Sequence, residues 1–404
     1  MNITLPSSLI DDILTLPFEE QLSAIRRHLH RHPELGFREF ETAEFLRQIL
    51  KRLGLNVHGP IARTGLYVEI EGHEPGPAIG YRADIDALPI QDEKITSYAS
   101  CVPGMGHLCG HDAHMTIALG VIRLVLEQKE CFPGKIRFFF QPNEEGAPSG
   151  AEVMLREGII DELEAVYAVH VDPTLPVGTF GLAAGPITAA SDGFRIHVFG
   201  KGTGHGARPH QTVDTVWVTH QIITQLYQVI GRLTDARNPA VLTLCLLRGG
   251  TALNVIPAEV EIGGTLRTID PDDRTFLKRK IVAIAEEIAD LYGAHVRVEY
   301  EQGSPAVRND PTIIKHVEEV ITSIYGCGAI FQIPQPSMGS EDFAYYLEKI
   351  PGALIRVGTA GDEKTSYPLH HTHFDIDERA LPLAARVMSE VLIQHLEKAV
   401  AHKL

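Results

Sequence analysis

Gly134-Lys135-Ile136-Arg137-Phe138-Phe139-Phe140-Gln141-Pro142-Asn143-Glu144-Glu145-Gly146 is the stretch from which the fold of this chain can be read. Residues 134–140 form a short aromatic and aliphatic run bounded by Gly and Pro, the mark of a buried strand. Two adjacent carboxylates follow its C-terminal end. In a parallel α/β sheet that end is where sites are built. Neighbouring loop residues can point in different directions, so one Glu can bind metal while the other faces a substrate. A solvated acidic turn is the plainer alternative.

Upstream lies Gly106-His107-Leu108-Cys109-Gly110-His111-Asp112-Ala113-His114, a thiol and three imidazoles just before an apolar helical pattern at 117–126. Borderline-soft divalent metals take S and N donors of this kind. Cys109 and His111, one residue apart, can reach one centre from a loop that opens a helix. A buried free Cys can also serve only as a small apolar residue. Downstream, the strand-like run 165–170 ends on His170, and Leu369-His370-His371-Thr372-His373-Phe374 adds three imidazoles near the C-terminus. A lone His at a strand end is commonly structural. Four such clusters, each at a strand end or turn, together offer enough donors for two metals with open positions.

The ordered set of motifs resembles the dinuclear-metal amidohydrolase family of hippurate hydrolase, N-acyl-amino-acid deacetylases, N-acetyl-diaminopimelate deacetylase and plant auxin–amino-acid conjugate hydrolases. The likeness runs nearly end to end. It includes Arg31-His32-Pro33-Glu34-Leu35-Gly36-Phe37, Arg82-Ala83-Asp84-Ile85-Asp86-Ala87-Leu88-Pro89 and Cys109-Gly110-His111-Asp112. Gln141-Pro142-Asn143-Glu144-Glu145-Gly146, Gly204-His205-Gly206-Ala207-Arg208-Pro209-His210 and Met338-Gly339-Ser340-Glu341-Asp342-Phe343 follow in order. By position, the resemblance implies that Cys109, His111, Glu145, His170 and His370 are metal ligands, with the Cys109 thiolate bridging two ions. It implies Glu144 as general base, His205 as a histidine lent to the neighbouring subunit's site, and Asn254 and Arg267 as substrate contacts. Arg267 also reads as a surface strand residue. His371 is the alternative to His370, which follows Leu369 as the family's ligand does. Two departures stand out. Pro148 lies in a loop where the family often carries Gly, and Asp214-Thr215 replaces the usual Asp-Pro at a helix start.

The chain has 404 residues, more than one core usually serves, so two domains are expected. Hydrophobic content of 44% and charged content of 22% are those of an ordinary globular protein. A net charge of −16 argues against nucleic acid or an anionic membrane as partner. No apolar run approaches the roughly 18 residues of a membrane span, and residues 1–16 lack the basic start of a secretory signal. Five scattered cysteines form no disulfide framework. A cytoplasmic protein is expected, with Cys109 a thiolate and Cys101, Cys131, Cys245 and Cys327 packing residues.

Helix patterns at 19–32 and 38–53 precede strand patterns at 66–70 and 78–82, and strand and helix alternate to about 181. This is an α/β, mostly parallel arrangement, and the resemblance implies a zinc-peptidase-like catalytic domain. From 187 to 301 the order becomes strand 194–199, helix 213–232, strands 241–247 and 255–267, helix 272–292 and strand 295–300. That is the ferredoxin-like βαββαβ unit, expected as an inserted lid and dimerisation domain at 187–301, with the catalytic domain at 1–186 and 302–404. A helix at 379–400 closes the chain.

The expected reaction is hydrolysis of an N-acyl amino acid, dependent on two divalent ions (Mn, Zn, Co or Ni) in a homodimer or higher homo-oligomer. Asp84, Asp86 or Asp112 can orient the imidazoles. Asp112 is the first choice beside His111, and it also suits a helix N-terminus. A carboxypeptidase or dipeptidase on the same fold is the alternative. The thiolate position favours the N-acyl branch, since the peptidase relatives tend to use a carboxylate there. A non-catalytic binding protein is the third reading.

Overall fold

The computed structural model describes residues 7–401 apart from Gln302. The chain forms two compact units. One comprises the chain up to Gly185, Arg308–Pro334 and the chain from Tyr345 on; the other comprises Pro186–Val307 and Gln335–Ala344.

In the first unit, an eight-stranded sheet runs in the order His58–Ile61, Gly65–Glu71, Lys135–Gln141, Ala78–Asp84, Leu163–Pro176, Gly352–Ala360, Phe180–Leu182, Ile330–Gln332. The four central strands are mutually parallel, while both flanks carry antiparallel pairs. The strand at 135–141 is apolar from Phe138 to Phe140, where both of its faces are covered; Phe138, Phe139 and Phe140 are all buried. The helix His111–Glu127 packs against Ala380–Ala401 and Phe18–Arg31. It is buried all round from His111 to Ile122, as the apolar stretch 117–122 requires. Parallel strands end together, so the C-terminal ends of Ala78–Asp84 and Lys135–Gln141 present their loops on one edge.

The second unit has a four-stranded antiparallel sheet ordered Ala240–Gly249, Glu259–Thr268, Ala190–Phe199, His295–Glu301. Helices Thr215–Leu233 and Pro271–Tyr292 complete a βαββαβ succession. Ala190–Phe199 alternates buried and half-buried residues, the period-two signature of a sheet with one covered face. Its core includes Phe194, Ile196, Ile222, Leu226, Ile262 and Leu277. Asp214 caps the first helix by accepting the Trp217 N–H, and Asp270 caps the second by accepting from Asp272 and Asp273. Thus Asp214-Thr215 does start a helix.

Three boundaries differ from the sequence reading. The strand read as 255–267 is broken at Pro257 into Val255–Ile256 and Glu259–Thr268, since proline cannot donate to a ladder. The strand that carries His170 continues to Pro176, because Gly352–Ala360 supplies a partner beyond the histidine. Gln335–Ala344 packs with the second unit, not the first: Ser337 N–H donates to the Ile187 carbonyl at 3.0 Å and Ala189 N–H to that of Gly339 at 2.9 Å. Among the described residues, no helix is long and apolar enough to cross a membrane.

Candidate metal centre and active site

Gly110 sets the geometry of the thiol and imidazole pair. It adopts φ +89°, and a Cβ there would lie 2.3 Å from Val171 Cγ2, so only glycine fits the close approach. The chain enters the helix at His111 from this left-handed residue, with Cys109 and His111 on its two sides. Donor atoms of Cys109, His111 and Glu145 all lie within 4.8 Å of one another. The Cys109 thiol is buried and sits 3.7 Å from His170 Nε2. His170 lies two residues past Ala168, the last residue of its strand in register with Ala78–Asp84, so it stands at the level where that neighbouring strand ends. His370 Nε2 is 3.1 Å from Glu145 Oε1. The His370 N–H donates to the Leu108 carbonyl at 2.7 Å, tying the last motif to the residue before Cys109. Glu144 Oε2 is 3.8 Å from His111 Nε2.

Hydrogen bonds decide which imidazole nitrogens remain available. His111 Nδ1 donates to the Asp86 carbonyl at 2.9 Å, and its buried Nε2 has no hydrogen-bond partner. His170 Nδ1 donates to the Val171 carbonyl at 2.8 Å, so Nε2 turns toward Cys109. An occupied Nδ1–H with a lone pair on Nε2 is the arrangement that metal-ligating histidines adopt. His114 differs. Its Nδ1 donates to Asp84 Oδ1 at 2.7 Å and its Nε2 accepts the Val171 N–H at 3.0 Å. Both nitrogens are spent, so His114 orients its neighbours and does not ligate. His371 faces elsewhere, stacked on Tyr367 at 4.6 Å with Nδ1 accepting the His373 N–H.

Burial and neighbouring charge pull the protons of this cluster in opposite directions. Burial opposes a charge on His111, but Asp84, Asp86 and Cys109 outweigh it and raise the imidazole well above its ordinary range. Burial, then Glu145, pushes the Cys109 thiol up. Hydrogen bonding to Cys109 and Glu145 raises His370 to about 10. His170 is held far below its usual value by burial and then by Arg356. A thiol, two carboxylates and three imidazoles here compete for protons that a divalent cation would displace. The mixed S, N and O donors suit a borderline metal, and the unpartnered His111 Nε2 shows that the residues fit one.

The structure therefore gathers Cys109, His111, Glu144, Glu145, His170 and His370 in the larger unit. The smaller unit holds His205, Asn254 and Arg267. The two-stranded ladder Gly204–His205 with Val255–Ile256 puts His205 beside Asn254, whose carbonyl accepts the Gly206 N–H at 2.8 Å. Arg267 lies farther along its strand and donates to Ser340 Oγ at 3.0 Å.

Two expectations are corrected. Asp112 does not orient His111: its carboxylate meets Arg26 Nε at 2.8 Å and His30 Nδ1 at 2.7 Å, while Asp86 holds His111. Cys101, Cys131, Cys245 and Cys327 are exposed, not packed. Glu39, whose buried carboxylate accepts the Asn143 N–H at 3.0 Å, escaped the sequence reading altogether. Its spacing from Glu144 carries no local signal.

The pattern of Peptidase family M20/M25/M40 matches residues 80–394. An N-acetyl-L-cysteine deacetylase of Bacillus subtilis is 39% identical over 94% of this chain and 92% of its own length. A thermostable carboxypeptidase of Saccharolobus solfataricus is 34% identical over 94% and 96%. A solved Bacillus subtilis structure, described as a dinuclear metal binding peptidase from the M20 family, superposes with a TM-score of 0.83 at 36% identity, covering 94% of this chain and 99% of that one.

Proposed function

We propose, for a chain that belongs to Peptidase family M20/M25/M40 and is a metal-dependent amidohydrolase, that its substrates are N-acyl amino acids, cleaved to a carboxylate and a free amino acid. The observation that carries this reading is the Cys109–His111–Glu145 group, its thiol and imidazole buried and its carboxylate half-buried, with an unpartnered His111 nitrogen and a second carboxylate, Glu144, beside it. The deacetylase relative supports the N-acyl branch.

Cys109, His111, Glu145, His170 and His370 would hold two divalent ions (Mn, Zn, Co or Ni). When bound, such ions activate water near neutral pH and polarise a scissile carbonyl. Glu144 takes the proton of the attacking water and returns it to the departing amine. His205 acts on the partner subunit's site in a homodimer. Its Nδ1 accepts the Ala207 N–H at 3.0 Å, so the neutral ring carries its proton on Nε2, where it can donate to a developing oxyanion. Asn254, beside it, and Arg267 contact the substrate. An exposed edge strand, Ala240–Gly249, with Val241 and Leu247 facing outward, supports pairing of two copies.

A carboxypeptidase reading keeps the same site, and the Saccharolobus relative favours it. Protein loaded separately with Mn, Zn, Co and Ni and assayed on N-acetyl and N-benzoyl amino acids against dipeptides decides the matter. Higher kcat/KM on the N-acyl substrates is expected; preference for dipeptides would transfer the assignment to the peptidase reading.

A further inference from the structure

Glu144 sits between two backbone amides, and each is held by a different buried carboxylate. The Asn143 N–H donates to Glu39 Oε1 at 3.0 Å, and the Glu145 N–H donates to Asp86 Oδ2 at 3.0 Å. Glu39 is fully buried and Asp86 nearly so. We propose that Glu39 is a positioning residue for Glu144: together with Asp86 it clamps the peptide that carries the base, so that Glu144 is aimed by a rigid loop.

Glu39 occupies the N-cap position of helix Phe40–Arg52, yet its side chain makes no capping bond. That role passes to Glu34, whose Oε2 accepts the Thr42 N–H at 2.8 Å. The Glu39 carboxylate is thereby free to reach the loop. Its second oxygen accepts from Thr64 Oγ1 at 2.6 Å. Thr64 follows two left-handed residues, Ala62 at φ +47° and Arg63 at +75°, and Glu157 accepts the Ala62 N–H at 3.0 Å. Such conformations in non-glycine residues persist only where the surroundings hold them. Asn143 is itself left-handed at φ +50°. Its side chain donates to the Pro148 carbonyl at 2.7 Å, and it packs so closely on Gly36 that a Cβ there would lie 1.7 Å from Asn143 Oδ1. A buried carboxylate is costly unless it is fully bonded, and the two oxygens of Glu39 are bonded by this loop and by Thr64. Misplacing a catalytic group by about 1 Å costs on the order of 10²-fold in rate.

The proposal rests on Glu144 being the general base, and the test separates the two. In Glu39→Ala, kcat should fall about 10- to 10²-fold, with KM and metal content at wild-type levels. Glu39→Gln, which can still accept the Asn143 N–H, should recover most of the loss. Hydrogen exchange of the Asn143 amide should accelerate in Glu39→Ala with or without metal. Combined with Glu144→Gln, Glu39→Ala should add no further loss, since both act through one group. Thr64→Val, which removes only the hydroxyl donor, should reproduce the pattern more mildly and replaces Glu39→Ala if that variant does not fold. An equal fold-loss in the Glu144→Gln background, or unchanged Asn143 exchange, overturns the proposal. If Glu144→Gln alone keeps wild-type turnover, the base assignment fails, and the exchange measurement alone decides whether Glu39 holds the loop.

Discussion

Asp86 Oδ2 accepts the backbone N–H of Glu145 at 3.0 Å, and the carbonyl of the same Asp86 accepts the Nδ1 proton of His111 at 2.9 Å. One residue thus aims two proposed ligands. Asp86→Ala, which removes the acceptor of the Glu145 N–H but leaves the carbonyl on His111, should weaken metal binding about 10- to 10²-fold, read by competition against a chelator of known affinity. Asp112→Ala should act differently. It strips a partner from Arg26 in a pair that is wholly buried, so unfolding free energy should drop by about 3 kcal/mol with metal affinity near wild type. Equal metal loss in both variants would refute this division of labour.

Glu144→Gln should lose at least about 10²-fold in kcat, the scale of a general base, with metal retained. Glu145→Gln should lose metal, because its carboxylate shares the 4.8 Å group with Cys109 and His111. Turnover and elemental analysis on both variants check the assignment; the opposite pattern reverses the two roles.

Cys109 should behave as a ligand and not a nucleophile. Mass-resolved alkylation of metal-loaded protein should label the four exposed cysteines and spare Cys109. Chelation should abolish activity reversibly and speed Cys109 labelling. Fast labelling of Cys109 in active, loaded enzyme would contradict the ligand role, as would a trapped acyl-enzyme.

His205→Ala should retain metal but lose on the order of 10²-fold or more in kcat, as for loss of an oxyanion donor. Mixing it with Glu144→Gln should restore activity through hybrid dimers that pair an intact Glu144 with the partner's intact histidine. Verified subunit exchange with no recovered turnover would remove His205 from the partner's site.

Acid should destabilise the fold through His28. Its ring stacks on Phe45 at 4.1 Å and lies 4.6 Å from that of His32. Burial, then His32 and Arg31, pushes it from 6.5 down to about 4. The unfolded chain takes up this proton near pH 6.5, whereas the folded chain waits until about pH 4. The contribution is therefore complete above 6.5 and is lost as pH falls. Between pH 7 and 5 the loss should be about 1–2 kcal/mol, seen as a lower urea midpoint. His28→Phe, which keeps the stack without the titration, should flatten that drop; an equal drop would clear His28.

The densest chemistry was legible because it is local. Cys109, Gly110 and His111 are consecutive, and Glu144 and Glu145 follow a strand whose aromatic run is unmistakable. Distant pairing was not legible. Nothing around Asp112 announces Arg26, 86 residues away, so the sequence points to the adjacent His111 instead. The strand through His170 outlasted its apparent end because Gly352–Ala360, far along the chain, covers it. Exposure of Cys131 or Cys245 depends on surroundings that composition does not record. The βαββαβ order was readable because each of its turns and caps is local.

The central sheet of the larger unit cannot be finished until the main segment of the second unit has been made. Leu163–Pro176 gains its second parallel neighbour, Gly352–Ala360, only after the whole 186–307 segment has been made. That segment is nearly continuous and has its own core, so it can fold as it leaves the ribosome, when His370 is still untranslated. Folding in this order shortens the loop that must close before the long-range pairing forms. A nascent chain accordingly carries Cys109, His111, Glu145 and His170, four of the proposed ligands, before His370 is made, so the proposed donor set is completed only after the second unit's main segment has emerged.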